Sequence, residues 1–339
     1  MAAGLVDVAD VLPFDTADAA DVLLRTFDPR ALVFGKLDVW PTLVERAAAR
    51  GVRLGMVSAT LSAASGRRSP LARALLRDAY ARLDAVGAIA PGDAERLGEL
   101  GVRAAALSVT GDARYDQAWA RAGTALEAAR AAVSAARDPA WRLVPTLVAG
   151  STWPSDEVVL LAAWDTIRAR GMRARMILAP HEPTEPHLAA TERWAARRGV
   201  SIARLDAVGR KGAPPPEVIL VDRVGVLADL YAIGDLAYVG GGFHAAGVHS
   251  VLEPAACGVP VLVGPHAAGT RDADLLVAAG AAHVVTTPLA LATRLRDWIE
   301  RPAARGAAGE KARAIVRTGL GAAERSAALV ERLLALSAG

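Results

Sequence analysis

The chain has 339 residues, 53% of them hydrophobic and 4% aromatic, with a formal net charge of +3 and one cysteine, Cys257. That length holds two domains of ordinary size with cores of Ala, Val and Leu, and a lone cysteine excludes an internal disulfide framework and suits a reducing compartment. No Lys/Arg block marks a nucleic-acid tail, no run reaches the roughly 20 apolar residues of a membrane-spanning helix, and "MAAGLVDVADVLPFD" has no basic signal-peptide start. The expectation is a soluble or membrane-peripheral chain facing the cytosol, with no nucleic-acid partner.

Short β-branched runs alternate with Ala/Leu/Arg segments. "ALVFG" (31–35) reads as a strand, 41–50 as a helix and "VRLGMVS" (52–58) as the next strand. A helix over 70–83 precedes the strand "AVGAIA" (85–90). A helix over 92–100 then leads to "AALSVTG" (105–111). Residues 118–140 read as one Ala-rich helix, and the domain boundary is placed at its end, giving domains 1–140 and 141–339. The second series opens with the strand 143–151 and a helix over 156–170. The strand "RMILAP" (175–180), a helix over 185–198 and a surface loop at 211–217 follow. Strands "VILVD" (218–222), "LAYVGG" (236–241) and "VPVLVG" (259–264) come next, and the tail from about 288 is helical. This order predicts two doubly wound α/β domains with parallel sheets. In such sheets ligands sit outside the carboxyl ends of the strands.

The strand exits of the second series carry the chemistry. "VAGSTWPSDE" (148–157) places Ser151 and Thr152 before a helix. Two hydroxyls and free amides there could hold a phosphate. Equally, Ser151 or Thr152 caps the helix, Pro154 opens its first turn, and Asp156 and Glu157 offset its dipole. "YVGGGFHAAGVHSVLEPAACGVP" (238–260) follows an apolar strand with Gly240, Gly241 and Gly242, then His244 and His249. The two histidines are five apart across a glycine, unlike HExxH, and Cys257 lies eight further on. No metal site is expected. Ser250-x-x-Glu253 fits a capping box. It also fits a nucleotide, with amides for phosphate and a carboxylate for ribose hydroxyls. The pattern leaves both readings open.

These motifs resemble those of the 3-deoxy-D-manno-octulosonic acid (Kdo) transferases, which have the GT-B glycosyltransferase fold. "GVHSVLEPAACGVPV" matches the family's Gly-Gly-His-Asn-x-Leu-Glu-Pro and Gly-x-Pro-Val segment, with Ser250 at the Asn. "GSTWPSDE" resembles its Gly-Ser-Thr helix start, with Trp153 where many members have His. "LAPHEP" resembles its Pro-Arg-His-Pro strand exit, with His181 at the Arg. "DRVGVLADLYAIGDLAYVGGG", "VTGDARYDQ" and "LVFGKLDVWPTL" match three further motifs in order.

The resemblance implies transfer of Kdo from CMP-Kdo to a lipid A precursor at the cytoplasmic face of the inner membrane. It needs neither metal nor cofactor. By that likeness CMP is held by Ser151 and Thr152, by Pro180 and His181, and by the turn Val224, Gly225 and Val226. Gly242 and the segment His249, Ser250, Val251, Leu252 and Glu253 complete the set, with Glu253 on the ribose. In the first domain Lys36 and Asp38 stand at the two glutamates of the family's Glu-Thr-Glu motif. The family's proposed base is a glutamate in a stretch that precedes the part matched here. The expectation is therefore a first domain lacking its opening strands, no assigned base, and Asp38 as the candidate that remains. Two other readings stand beside it. One is a different GT-B nucleotide-sugar transferase or epimerase, and the other is a relative that binds nucleotide without transferring sugar.

Overall fold

The computed structural model describes residues 6–135, 144–208 and 215–335. The chain divides into two compact units, Met1–Asp116 with Leu320–Gly339, and Gln117–Gly319.

The first unit is built on four parallel strands in the order β1-β2-β3-β4, namely Ala31–Gly35, Arg53–Ala59, Ala85–Ala88 and Leu107–Val109. Its helices include α1 (Ala17–Phe27), α2 (Pro41–Ala49), α3 (Pro70–Ala81) and α4 (Pro91–Leu100). The side chains of successive strand residues point to opposite faces. Leu54 and Met56 of β2 therefore join Phe34, Val44, Tyr80 and Leu97 in one core, while Gly55 between them faces the other way. The strand order runs in one direction, so no switch of winding occurs among the described strands of this sheet.

The second unit begins in the helix α5 (Arg114–Ala135) and holds seven parallel strands in the order β11-β10-β9-β5-β6-β8-β7. They are β5 (Thr146–Thr152), β6 (Arg175–Pro180), β7 (Ile202–Arg204), β8 (Val218–Leu220), β9 (Leu236–Val239), β10 (Val261–Val263) and β11 (Ala282–Val284). β5, β6, β8 and β9 are almost wholly buried, as expected when helices cover both faces. α6 (Pro154–Ala169) shows why: Leu160, Ala163, Trp164 and Ile167 recur at helical spacing and bury one stripe against the sheet. Between β6 and β11 stand α7 (Glu185–Arg198), α8 (Leu227–Ala232), α9 (Leu252–Ala256) and α10 (Arg271–Ala278); α11 (Pro288–Glu300) and α12 (Pro302–Thr318) follow β11. β5 is flanked by its successor β6 on one side and by β9, reached only after β7 and β8, on the other. The switch of winding therefore lies at the carboxyl ends of β5 and β9, where ligands of such sheets bind.

The last helix, α13 (Ala322–Ala335), returns to the first unit and packs on β1, β2 and β3. Leu333 is fully buried there, and a Cβ added to Gly55 would lie 2.8 Å from its methyl. Burying one leucine is worth about 2 kcal/mol. The two compact units divide differently from the expectation of a boundary at residue 140. The first unit ends in the first turn of α5 and regains residues 320–339, because α13 supplies its second layer. The expected helix end and boundary near 140, and most of the loop at 211–217, lie outside the described residues. The other predicted elements appear within a few residues of their expected bounds; α1, β7 and β11 were not among them.

Candidate functional site

The parallel strands bring the exits of β5, β6, β8 and β9 to one edge of the second sheet. At the exit of β5, Ser151 has a positive φ of 53°, uncommon for a residue with a side chain, where the pairing with β6 slips by one residue. Thr152 is fully buried and its hydroxyl donates to Glu157 Oε1 at 2.8 Å. That hydroxyl is therefore engaged inward, and the N-cap of α6 is Trp153, not Ser151 or Thr152.

Asp156 organises the site. It is fully buried, and four donors converge on its carboxylate. Oδ1 accepts from Tyr238 Oη at 2.9 Å and Phe243 N at 3.0 Å; Oδ2 accepts from Trp153 N at 2.9 Å and Gly241 N at 2.7 Å. The glycine-rich loop after β9 is thus pinned to the start of α6. Its close packing leaves no room for side chains. An added Cβ would meet Ser151 O at 2.1 Å from Gly240, Gly247 O at 2.1 Å from Gly241 and Gly264 N at 2.3 Å from Gly242. Gly240 N donates to Gly150 O and Gly241 N to Asp156, so these two amides serve the fold and do not cradle a phosphate.

Above this base lies a cluster of rings. The Trp153 indole stacks on His244 with centroids 4.1 Å apart and an interplanar angle of 4°. His181, exposed at the exit of β6 just after Pro180, lies 4.8 Å from Trp153 and 4.3 Å from His249. Trp153 Nε1–H donates to His249 Nε2 at 3.1 Å. An indole nitrogen only donates, so His249 accepts at Nε2 and is the neutral tautomer with its proton on Nδ1. Burial, and then the neighbouring His181 and His244, hold its pKa below the ordinary value.

This has a measurable consequence. The folded protein resists protonating His249, so the unfolded chain binds more protons near the ordinary histidine pKa of about 6.5. The stabilisation is complete above that value and is lost as pH falls through the depressed folded value. An NMR titration of the imidazoles should place His249 below the ordinary value of about 6.5, and Trp153→Phe should move it upward. A His249 that titrates at or above about 6.5 in the wild type would contradict the depression by burial and the neighbouring histidines.

The turn Val224–Val226 after β8 is exposed at Val224, and Gly225 has φ 89° with open space around it. It leads into α8, whose Leu227 and Tyr231 cover Gly150; a Cβ there would lie 2.2 Å from the Tyr231 hydroxyl. This fourth exit therefore abuts β5 as well. The segment 249–253 divides. Val251 and Leu252 are buried, Ser250 is exposed, and His249 and Glu253 are half-buried. The capping box is not formed. Val251 is the N-cap of α9, Ser250 Oγ accepts from Leu252 N at 3.4 Å, and Glu253 Oε1 pairs instead with Arg121 of α5 at 3.0 Å. α9 has five residues, too short for a dipole argument. Cys257 at its end is pushed up to about 12 by burial and then by the Glu253 charge.

In the first unit Lys36 has a positive φ of 56° at the exit of β1, and Asp38 is exposed beside it. Arg67 bridges the Leu37 carbonyl and the Tyr80 hydroxyl. Burial raises the Tyr80 pKa, Arg67 opposes that, and Asp38 adds to it.

Sequence reasoning placed the four exits but missed the anchoring role of Asp156, Arg121, and the part-buried pair of Glu157 with His187 Nε2 at 3.0 Å. An Asp-Glu pair following Pro154 was the available signal for two of these.

Two α/β units with a loop cluster at the switch point of the second give the chain a GT-B-like fold. A solved structure of HepE from Anabaena, determined with UDP, shares the fold at a TM-score of 0.60 and 13% identity, covering 93% of this chain and 82% of that one. The family model described as 3-deoxy-D-manno-octulosonic-acid transferase (kdotransferase) matches residues 2–117. The 3-deoxy-D-manno-octulosonic acid transferase of Bordetella pertussis is 32% identical over 93% of this chain and 72% of its own length. That of Chlamydophila psittaci is 28% identical over 80% of this chain and 60% of its own length. The chain belongs to the 3-deoxy-D-manno-octulosonic acid transferase family.

Proposed function

We propose that the protein transfers Kdo from CMP-Kdo to a lipid A precursor, with the donor on the second unit. The observation that carries this reading is the convergence of four strand exits at the switch point, with Glu253 half-exposed among them. The ring cluster of Trp153, His181, His244 and His249 offers stacking surface and imidazole N–H donors to the cytidine and phosphate. Glu253 accepts from the ribose hydroxyls. For the base, Asp38 is the carboxylate that the first unit offers at a matching motif position.

Titration of CMP against the wild type and Glu253→Ala tests the donor site. Losing a charge-assisted hydrogen bond costs roughly 1.5–3 kcal/mol, about tenfold or more in affinity. Unchanged affinity in a folded variant removes Glu253 from the site. Parallel titration of UDP separates this activity from other GT-B enzymes, since tighter UDP binding would overturn the CMP assignment.

We further propose that the protein works peripherally at the cytoplasmic face of the inner membrane. No helix among the described residues is long and apolar enough to cross a membrane. On α3, Leu71 and Leu75 are 73% and 70% exposed. Residues 66–82 carry five arginines against one aspartate, a net +4 beside these leucines. Each basic residue near an anionic bilayer contributes about 1 kcal/mol, and the leucines supply apolar insertion. Flotation with phosphatidylglycerol vesicles should retain the protein and lose it for Leu71→Ser/Leu75→Ser. Equal retention on neutral phosphatidylcholine would refute the electrostatic part.

A further inference from the structure

Nothing on α9 fixes the Glu253 side chain. The helix has five residues, its N-cap is Val251, and the Ser250 hydroxyl serves the Leu252 amide. The partner of Glu253 comes from 132 residues earlier, where Arg121 Nη1 lies 3.0 Å from Oε1. α5 is itself held in place. The guanidinium carbons of Arg313 and Arg317 on α12 lie 4.9 and 5.4 Å from the Trp119 ring centroid. α12 in turn packs closely on the end of α9, where a Cβ on Gly309 would sit 2.0 Å from Gly258 O. A rigid chain of contacts therefore runs from α9 through α12 to α5 and back to Glu253.

We propose that Arg121 is a positioning residue for the donor, holding the Glu253 carboxylate by Oε1 so that Oε2 meets the ribose hydroxyls. This rests on the reading of Glu253 given above. The Arg121 and Glu253 side chains are 47% and 25% exposed. A pair so exposed contributes little to stability, so its effect falls on orientation. A carboxylate with two free rotamers spends only part of its time where a diol can bond it. The hydrogen bond from Arg121 Nη1 to Oε1 restricts that freedom and leaves Oε2 open. It also makes α5, the helix that carries the chain from one unit to the other, part of the donor site.

The test uses the full chain and two probes, CMP and 2′,3′-dideoxy-CMP, which lacks the diol. Isothermal titration is run on the wild type, Arg121→Gln, Arg121→Lys and Glu253→Gln. Arg121→Gln is expected to weaken CMP about fivefold or more, leave dideoxy-CMP unchanged and keep the melting temperature. The CMP to dideoxy-CMP ratio then moves toward that of Glu253→Gln, and Arg121→Lys restores part of it. Three results overturn the proposal: CMP affinity unchanged in Arg121→Gln, CMP affinity increased, or both probes weakened together as a structural role requires. If Glu253→Gln itself leaves the ratio unchanged, or the wild type binds no CMP, the ribose reading fails and Arg121 falls with it. If Glu253→Gln collapses the ratio and Arg121→Gln does not, only the role of Arg121 is wrong.

Discussion

Asp156→Ala should lower the melting temperature by about 10 °C or more and abolish nucleotide binding. The carboxylate takes four donors in a fully buried site, from Trp153, Tyr238, Gly241 and Phe243. Removing it strands the Tyr238 and Gly241 donors in a buried site and frees those of Trp153 and Phe243. Each buried unsatisfied group costs about 1–3 kcal/mol, and the losses are not additive, so about 4 kcal/mol or more is expected. For a unit of this size that corresponds to roughly 2–4 °C per kcal/mol. Asp156→Asn keeps one acceptor oxygen and turns a donor toward the others, so its loss should be smaller but still large. Differential scanning calorimetry reads both. A melting temperature within about 2 °C of wild type for Asp156→Ala would mean that the glycine loop stands without its anchor.

Gly241→Ala should be severely damaging, and Gly225→Ala gives its control. The two glycines have nearly the same φ, 88° and 89°. Alanine at such a φ costs roughly 1–3 kcal/mol wherever it is placed. At Gly225 nothing lies within 4 Å of the new Cβ, so that cost is all. At Gly241 the Cβ would sit 2.1 Å from the Gly247 carbonyl oxygen, which is backbone and cannot rotate away. Opening the loop adds about 1–3 kcal/mol and breaks the Gly241 amide bond to Asp156. Urea midpoints should fall further for Gly241→Ala than for Gly225→Ala. Equal midpoints would mean that the loop has a second packing open to it.

Most of the fold was legible because its strands are short β-branched runs punctuated by Gly and Pro. β5 and β9 are buried on both faces and read as continuous apolar stretches. β7 and β11 were not, for a physical reason. Each has three residues, and with Arg204 in one and His283 in the other, neither is apolar throughout. α1 opens with Ala-Asp-Ala-Ala-Asp and buries only Ala20 and Leu24, too little to mark a stripe. At the site, sequence showed residue types but not partners. Asp156 read as compensation for a helix dipole, whereas its donors from Tyr238, Gly241 and Phe243 arrive from 82 to 87 residues away. Ser250 and Glu253 matched a local cap pattern, but an arginine on a distant helix competes for Glu253 and wins, since a charged partner outweighs a neutral amide.

The return of α13 to the first sheet sets an order of assembly. The second unit is one continuous stretch, residues 117–319, and holds everything it needs once the ribosome has passed its end. The first unit is interrupted by that stretch. At the usual pace of about 5–20 residues per second, its four strands wait roughly 10–40 s for the helix that covers the Gly55 face. The part of the chain made first is thus the part finished last. Until Leu333 arrives, an apolar sheet face stands open beside every other nascent chain in the cell.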